Sequence, residues 1–249
     1  MFATRYIGGI RATFSLIGFL LIWEMVVRAL ALPGYVLPTV SAILEQLWRQ
    51  QQPLIAAAMT TSQQALLGFG IGAALGVALA VALTFVGRLR DALMSIVVAI
   101  NIVPMIAYAP LVVLWFGVGM ESKVIIVACE VGFTVLLGTL DGLNRVDKRS
   151  VDLLRSFGAG PFELIRKLRL PSALPSILTA LKLSTVRSII ATIVVEMLGA
   201  YQGLGWTIFQ SVVMSDFLTV WAAILVASLL SLAFFGLLAW LERRLVFWQ

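Results

Sequence analysis

The segment Asp152-Leu153-Leu154-Arg155-Ser156-Phe157-Gly158-Ala159-Gly160-Pro161, which continues to Leu168-Arg169-Leu170-Pro171, is polar and basic. It lies between two long apolar runs, residues 124–140 and 177–200. Lys and Arg residues in short loops set the orientation of the neighbouring membrane spans and remain on the cytoplasmic side. The segment therefore predicts a cytoplasmic loop of a membrane protein, within reach of a soluble partner.

The composition assigns the chain to the membrane proteins. Hydrophobic residues make up 61% and charged residues 12% of the 249 residues, and the mean hydropathy is +1.04, whereas soluble domains contain about 25% charged residues. The formal charge of +6 comes from clusters beside apolar runs, so nucleic-acid binding is not predicted. The chain has one cysteine, Cys129, and no histidine, the commonest metal ligand and general base. We therefore expect no catalytic residue, no metal site and no intramolecular disulfide.

Six apolar runs are long enough to cross a bilayer, since about 20 apolar residues span roughly 30 Å of hydrocarbon. The predicted spans are residues 13–31, 65–87, 92–116, 124–140, 177–200 and 217–241. Glu24 and Arg28 follow the first apolar core without an Ala-x-Ala-type cleavage site, which favours a retained helix over a signal peptide. The expected fold is all-α: a polytopic membrane protein with about six transmembrane helices in one domain, residues 1–249.

The positive charges predict the orientation of these spans. Thirteen Lys and Arg residues fall on one side, against three on the other, Arg28, Arg49 and Lys123. The thirteen are Arg5, Arg11, Arg88, Arg90, Arg145, Lys148, Arg149, Arg155, Arg166, Lys167, Arg169, Arg243 and Arg244. This bias predicts that both termini are cytoplasmic. Residues 33–53 then lie outside, with a short amphipathic helix around residues 40–49.

The cytoplasmic loop is predicted to contain two short helices joined at a glycine bend. Residues 150–157 are compatible with a helix, Gly158-Ala159-Gly160 interrupts it, and Pro161 suits the first turn of a second helix, which Leu170-Pro171 ends. We call this unit, residues 150–171, the knob; its apolar residues are Leu153, Leu154, Phe157, Phe162, Ile165 and Leu168. The alternative is a pair of interfacial amphipathic helices lying on anionic lipid.

The knob resembles the EAA motif in the membrane subunits of bacterial binding-protein-dependent ABC importers. In that motif an acidic-Ala-Ala triplet precedes a Gly and then an apolar-x-Leu-Pro ending. Asp152, Gly158 and Leu168-x-Leu170-Pro171 match with the spacing intact, whereas Leu153 and Leu154 replace the two alanines. Further matches resemble the branch that imports alkanesulfonates, taurine, nitrate and small heterocyclic vitamin precursors: Trp23-Glu24, Ala109-Pro110-Leu111, Leu114-Trp115-Phe116-Gly117, Glu196-Met197-Leu198 and Gly203-Leu204-Gly205.

The resemblance implies the permease subunit of an ATP-driven importer in the bacterial inner membrane, with its coupling loop at about residues 145–171. It implies a second copy of the permease, two cytoplasmic ABC ATPase subunits that bind ATP and Mg, and an external or periplasmic binding protein that delivers a small anionic or heterocyclic solute. The ATPase-coupling residues would be Asp152, Leu153, Leu154, Phe157, Gly158, Ala159, Leu168, Leu170 and Pro171. No glycine in this chain precedes a lysine, so it has no P-loop. ATP hydrolysis is expected in the partner, and no cofactor in this chain.

The second predicted span carries a ridge of small residues. Gly68, Gly72, Gly76 and Ala80 recur every four residues, which allows another helix to approach closely. The ridge predicts helix packing, either inside one subunit or across the dimer.

The fifth predicted span carries a polar stripe. Thr185, Ser188, Thr192 and Glu196 fall within about one quarter of the helix circumference. A buried ionisable residue within a span indicates a functional site, so these four residues are predicted to line the translocation pathway. In the alternative, the hydroxyls bond back to their own helix and Glu196 reaches the outer interface.

Arg187 lies about 180° from Glu196 on the same helix. It either pairs with a structural partner such as Glu130 in span four or attracts an anionic substrate. Asn101, Pro104, Tyr108 and Pro110 interrupt span three, and Asn101 and Tyr108 are further pathway candidates. Two other functions stay open: a gradient-driven secondary carrier, for which we find no ion relay or inverted repeat, and a membrane scaffold or sensor.

Overall fold

The computed structural model describes residues 2–86 and 89–245, and regular secondary structure in that part of the chain is entirely helical. Gly87 and Arg88, which belong to predicted span two and to the charge count, lie outside the described residues, as do the side chains of Arg5 and Arg11. The helices are α1 (Phe2–Ala29), α2 (Val40–Arg49), α3 (Gln51–Leu83), α4 (Leu89–Ile102), α5 (Met105–Phe116), α6 (Met120–Asn144), α7 (Lys148–Ser156), α8 (Pro161–Leu164), α9 (Leu170–Leu198), α10 (Leu204–Val213) and α11 (Phe217–Leu245).

Four helical segments in the described part of the chain are long and apolar enough to cross a membrane: α3, α6, α8 with α9 (Pro161–Leu198), and α11. A fifth crossing results if α4 and α5 count as one span. These segments overlap predicted spans two to six. The first predicted span, residues 13–31, falls on α1, and its crossing stays a prediction.

Helix α6 packs between α3 and α9 at the centre of the molecule. The glycine ridge of α3 makes the first of these contacts: a Cβ atom at Gly72 would lie 2.5 Å from the carbonyl oxygen of Ala128, and one at Gly76 2.5 Å from that of Gly132. The second contact is also built from small residues, because a Cβ atom at Gly142 would lie 2.9 Å from Cβ of Ala173. The ridge therefore packs inside one subunit.

The third predicted span is broken rather than continuous. Helix α4 ends at Ile102 and α5 begins at Met105, and the two are bent by 89° relative to each other. Pro104 explains the break, because proline has no N–H to donate and disfavours helical backbone at the residue before it. Pro110 lies within α5 without ending it.

The predicted end of the knob at Leu170-Pro171 is wrong, because these residues begin α9. Between α8 and α9 the backbone forms one π-helical turn, Ile165–Arg169, and the Leu170 N–H donates to the Ile165 carbonyl five residues earlier. Pro171 has no N–H for the helical ladder, and a π turn is one way to accommodate the altered hydrogen bonding. The second limb of the knob is therefore continuous with span five.

Two helices lie in the segments that connect predicted spans one with two and five with six. Helix α2 covers the predicted amphipathic residues; the Thr39 side chain caps it by accepting from the Ala42 N–H, and it buries Ile43. Helix α10, Leu204–Val213, was not predicted. It is short and apolar and packs against α9 and α11.

Candidate functional site

The first limb of the knob, α7, has a defined start and a defined end. The Asp147 side chain accepts from the Arg149 N–H at its start. At its end, the Gly158 N–H donates to the Arg155 carbonyl and the Ala159 N–H to the Leu154 carbonyl. This is a Schellman cap, which requires a left-handed residue at the position of Gly158. Gly158 has a φ of 82°, as the cap demands.

The knob is attached to the membrane helices by a few buried side chains. Val151 on α7, Leu164 on α8 and Ile165 in the π turn are buried. Beside them is a cleft of ≈ 320 Å³, lined by Leu143, Asn144, Val146, Lys148, Val151, Asp152, Arg155 and Arg169. The knob is therefore fixed at its base, where the basic side chains of Lys148, Arg155 and Arg169 line the cleft together with the Asp152 carboxylate.

The tip of the knob exposes large apolar side chains. Leu153, Phe157 and Phe162 are 57%, 81% and 67% exposed. Of the other predicted coupling residues, Asp152 and Gly158 are exposed, and Leu154 and Ala159 are half-buried. Leu168, Leu170 and Pro171 lie lower, on the π turn and the first turn of α9. The predicted coupling residues therefore fall into two groups: those at or near the exposed tip, and those on the π turn and first turn of α9.

The polar stripe of α9 is enclosed within the subunit. Thr185, Ser188, Thr192 and Glu196 are all 0% exposed. The Thr192 hydroxyl donates to the Ser188 carbonyl, and that of Ser188 to the Thr185 carbonyl. These hydroxyls bond back to their own helix, as the alternative interpretation expected. In this conformation, the stripe faces neighbouring helices and no open space.

Glu196 accepts hydrogen bonds from two other helices. Thr61 Oγ1 on α3 donates to Glu196 Oε1 at 2.9 Å, and the Gly205 N–H of α10 donates to Oε2 at 2.8 Å. Thr61 also accepts from the Leu204 N–H at 2.9 Å. Gly203 has a φ of 107°, and a Cβ atom there would overlap the Glu196 carboxylate. Glu196 therefore holds the turn between α9 and α10 in place.

Sequence reasoning missed Thr61 and Lys123 as members of this region. Lys123 was counted as an external charge, yet it is 0% exposed, and its Nζ donates to the carbonyls of Val118 and Gly199. A lysine near the start of an apolar helix is a signal that could have been used, because its ammonium group can donate hydrogen bonds to nearby backbone carbonyls. Thr61 could not be singled out from the sequence, because its neighbours in the chain are also polar.

The remaining pathway candidates lie near the bend between α4 and α5. Asn101 is half-buried in the last turn of α4, and Tyr108, half-buried in α5, donates to Glu130 Oε1 at 3.3 Å. Arg187 is exposed on α9. Arg187 and Glu130 do not form the expected ion pair within the subunit. Among the described residues, no group of three or more His, Cys, Asp or Glu side chains could hold a metal ion.

Comparison with known proteins places the chain among membrane transport components. Residues 70–247 match the family model described as binding-protein-dependent transport system inner membrane component. The chain is 31% identical to a probable ABC transporter permease protein of Haemophilus influenzae, over 91% of this chain and 93% of that protein. It is also 31% identical to the formylaminopyrimidine transport permease protein ThiX of Halalkalibacterium halodurans, over 92% of each.

Two further similarities agree with this result. The chain is 30% identical to the putative aliphatic sulfonates transport permease protein SsuC of Bacillus subtilis, over 75% of this chain and 67% of that protein. The fold is similar to a chain in the inward-facing methionine ABC transporter MetNI, with a TM-score of 0.64, 18% identity, and coverage of 81% of this chain and 98% of that one.

Proposed function

We propose, from the premise that this chain belongs to the family of binding-protein-dependent transport system inner membrane components and is the permease subunit of an ABC importer, that its knob docks a separate cytoplasmic ATPase. The observation that carries the proposal is the exposed apolar tip formed by Leu153, Phe157 and Phe162. Clustered exposed apolar side chains mark interaction surfaces, and aromatic anchors commonly dominate binding energy at interfaces.

The connection between the knob and span five supports a mechanical role for the docking surface. Helix α8, the π turn and α9 form one continuous helical segment, Pro161–Leu198. The apolar tip is built at the start of this segment and at the adjoining Schellman cap. Movement of a docked ATPase would displace span five as a rigid body, one of the known modes of conformational switching. Asp152, Leu154, Ala159, Leu168, Leu170 and Pro171 would shape and support the docking surface.

The assembly that we propose contains two permease copies, two ATPase subunits that bind ATP and Mg, and an external binding protein. Both termini and the knob face the cytoplasm of a bacterial cell, and residues 33–53 and 201–215 face outside. The charge asymmetry supports this orientation. Relatives named for transport of formylaminopyrimidine and of aliphatic sulfonates support a small heterocyclic or anionic solute.

Reconstitution with the cognate ATPase tests the docking proposal. Phe157→Asp and Phe162→Asp place a charge on the apolar tip, and each should reduce copurification of the ATPase at least tenfold and abolish ATP-driven uptake. Tyr35→Asp is the matched control, because Tyr35 is an equally exposed aromatic (67%) in the predicted external segment. It should leave ATPase binding unchanged.

Normal ATPase binding by both tip variants, at wild-type levels of membrane protein, would contradict the docking assignment. The same preparation distinguishes the other functions. A secondary carrier would transport solute without the ATPase when an ion gradient is applied. A scaffold or sensor would bind partners but move no solute.

A further inference from the structure

Arg187 is an exposed cation in the middle of a membrane span. It lies seventeen residues after the start of α9 and eleven before its end, within the candidate span Pro161–Leu198. Exposing an arginine to lipid at the centre of a span is energetically costly, so such residues usually face protein or water. Arg187 forms no ion pair with any described residue. Its guanidinium therefore requires water, an anion or a second protein surface.

The bend between α4 and α5 leaves this part of α9 uncovered. Ala191 and Val195 lie one and two turns beyond Arg187 on the same helix face. Both are buried: Ala191 in a cluster that Met105 contacts, and Val195 in a cluster with Ala109 and Val112. Helix α5, together with α6, thus covers Ala191 and Val195. It begins at Met105, after the 89° bend, so it does not extend over Arg187.

Apolar side chains flank Arg187 on the exposed face of α9. The neighbouring exposed residues of α9, Leu183, Val186 and Ile190, are apolar. Small-molecule sites are mostly apolar and contain a few polar groups that determine specificity. Glu130, the partner that the sequence suggested, accepts from the Tyr108 hydroxyl and forms no ion pair with Arg187.

We propose that Arg187 lies on the water-accessible translocation route and binds the anionic group of the transported solute. This inference rests on the proposed function; it selects the anionic of the two solute classes and names a contact residue. A guanidinium presents a planar set of N–H donors that matches carboxylate, sulfonate and phosphate oxygens. The stripe of Thr185, Ser188, Thr192 and Glu196 then braces the opposite side of the same helix.

Thiol modification tests the charge at this position without knowledge of the natural solute. Cys129 is the single cysteine of the chain, so Cys129→Ser provides a cysteine-free background. In the complete permease–ATPase complex in liposomes, Ile190→Cys is treated with anionic sulfonatoethyl methanethiosulfonate or with its cationic trimethylammonium analogue. A unit charge about 4 Å away in water changes each rate by about fivefold. Adding Arg187→Gln should therefore lower the anionic-to-cationic rate ratio by about 25-fold, whereas Arg187→Lys should preserve it.

Leu198→Cys is the matched control, since Leu198 is also exposed on α9 but lies about 16 Å from Arg187 along the axis. Charges beyond about 10 Å are largely screened at 0.1 M salt, so its rate ratio should not depend on Arg187. Methanesulfonate, the simple anion probe, should slow modification of Ile190→Cys only when Arg187 is present.

Three results would overturn the proposal. If neither reagent modifies Ile190→Cys while Leu198→Cys reacts, this face lies in lipid. A rate ratio that is independent of Arg187 means that a second permease copy neutralises the charge. An absence of protection by methanesulfonate shows an accessible charge that binds no anion. Failure of the proposed function would be recognised separately. In that case no ATPase would copurify with the permease, and this is known before any thiol is modified.

Discussion

Replacing Gly72 by alanine is expected to force α3 and α6 apart, whereas the same replacement at Gly70 is not. A Cβ atom at Gly72 would lie 2.5 Å from the Ala128 carbonyl oxygen and 3.0 Å from the Gly132 amide nitrogen, both of which are backbone atoms. Non-bonded heavy atoms pack at about 3.5–4.0 Å, so one helix must move by about 1 Å. At Gly70, nothing lies within 4 Å of the added atom.

The two replacements share every effect except this contact. In both, alanine stabilises the helix by about 0.5–1 kcal/mol relative to glycine. Overpacking a tight contact costs about 1–3 kcal/mol. The Gly72→Ala protein should therefore be about 1–3 kcal/mol less stable than the Gly70→Ala protein. By the scaling for soluble domains of 150–250 residues, this difference lowers Tm by about 2–4 °C for each kcal/mol.

Thermal unfolding of the purified permease in detergent, followed by intrinsic tryptophan fluorescence, measures this difference. Gly70→Ala should match or exceed the wild type, and Gly72→Ala should unfold several degrees earlier. Equal transition temperatures for the two variants would refute the close backbone contact between α3 and α6.

Three other changes have distinct expected outcomes. Thr61→Val leaves the Glu196 carboxylate without one of its donors and should lower the free energy of unfolding by about 1–3 kcal/mol, whereas Thr61→Ser should retain most of it; equal chemical-denaturation midpoints would exclude the hydrogen bond. Gly158→Ala is strained because φ is 82° and should weaken ATPase binding, while Gly160→Ala, at a φ of −75°, should not; pull-down of the ATPase decides between them. A cysteine replacing Arg149, in a cysteine-free background, should react with an impermeant thiol reagent only after permeabilisation, and labelling in intact cells would reverse the predicted topology.

The features that the sequence predicts correctly are those with a strong local signal. The amphipathic helix is present at Val40–Arg49, and Gly68, Gly72 and Gly76 lie in close contact with α6. Both follow from periodicity on one helix, which needs no knowledge of neighbouring elements. The break in span three also has a local cause, since Pro104 cannot donate to the helical ladder.

The missed features depend on which helix faces which. Periodicity places Thr192 and Arg187 on opposite sides of α9, but an almost uniformly apolar span gives no indication of which side meets protein. The packing of the surrounding helices decides this: Thr192 is buried and Arg187 is exposed. Likewise, Leu170-Pro171 reads as a helix end, because a single π turn leaves no recognisable pattern in the sequence.

The continuous helical segment from Pro161 to Leu198 also limits how the length of the chain can vary. One residue inserted within its α-helical part would rotate everything before it by about 100° and shift it by about 1.5 Å along the axis. The apolar tip would then point in a different direction relative to the faces of α9, that is, its helical phase would change, although no side chain had been replaced. An extra residue in the turn between Ser156 and Pro161 would leave the phase of Phe162 intact, so the distance in sequence from Phe162 to Arg187 is fixed by helical geometry.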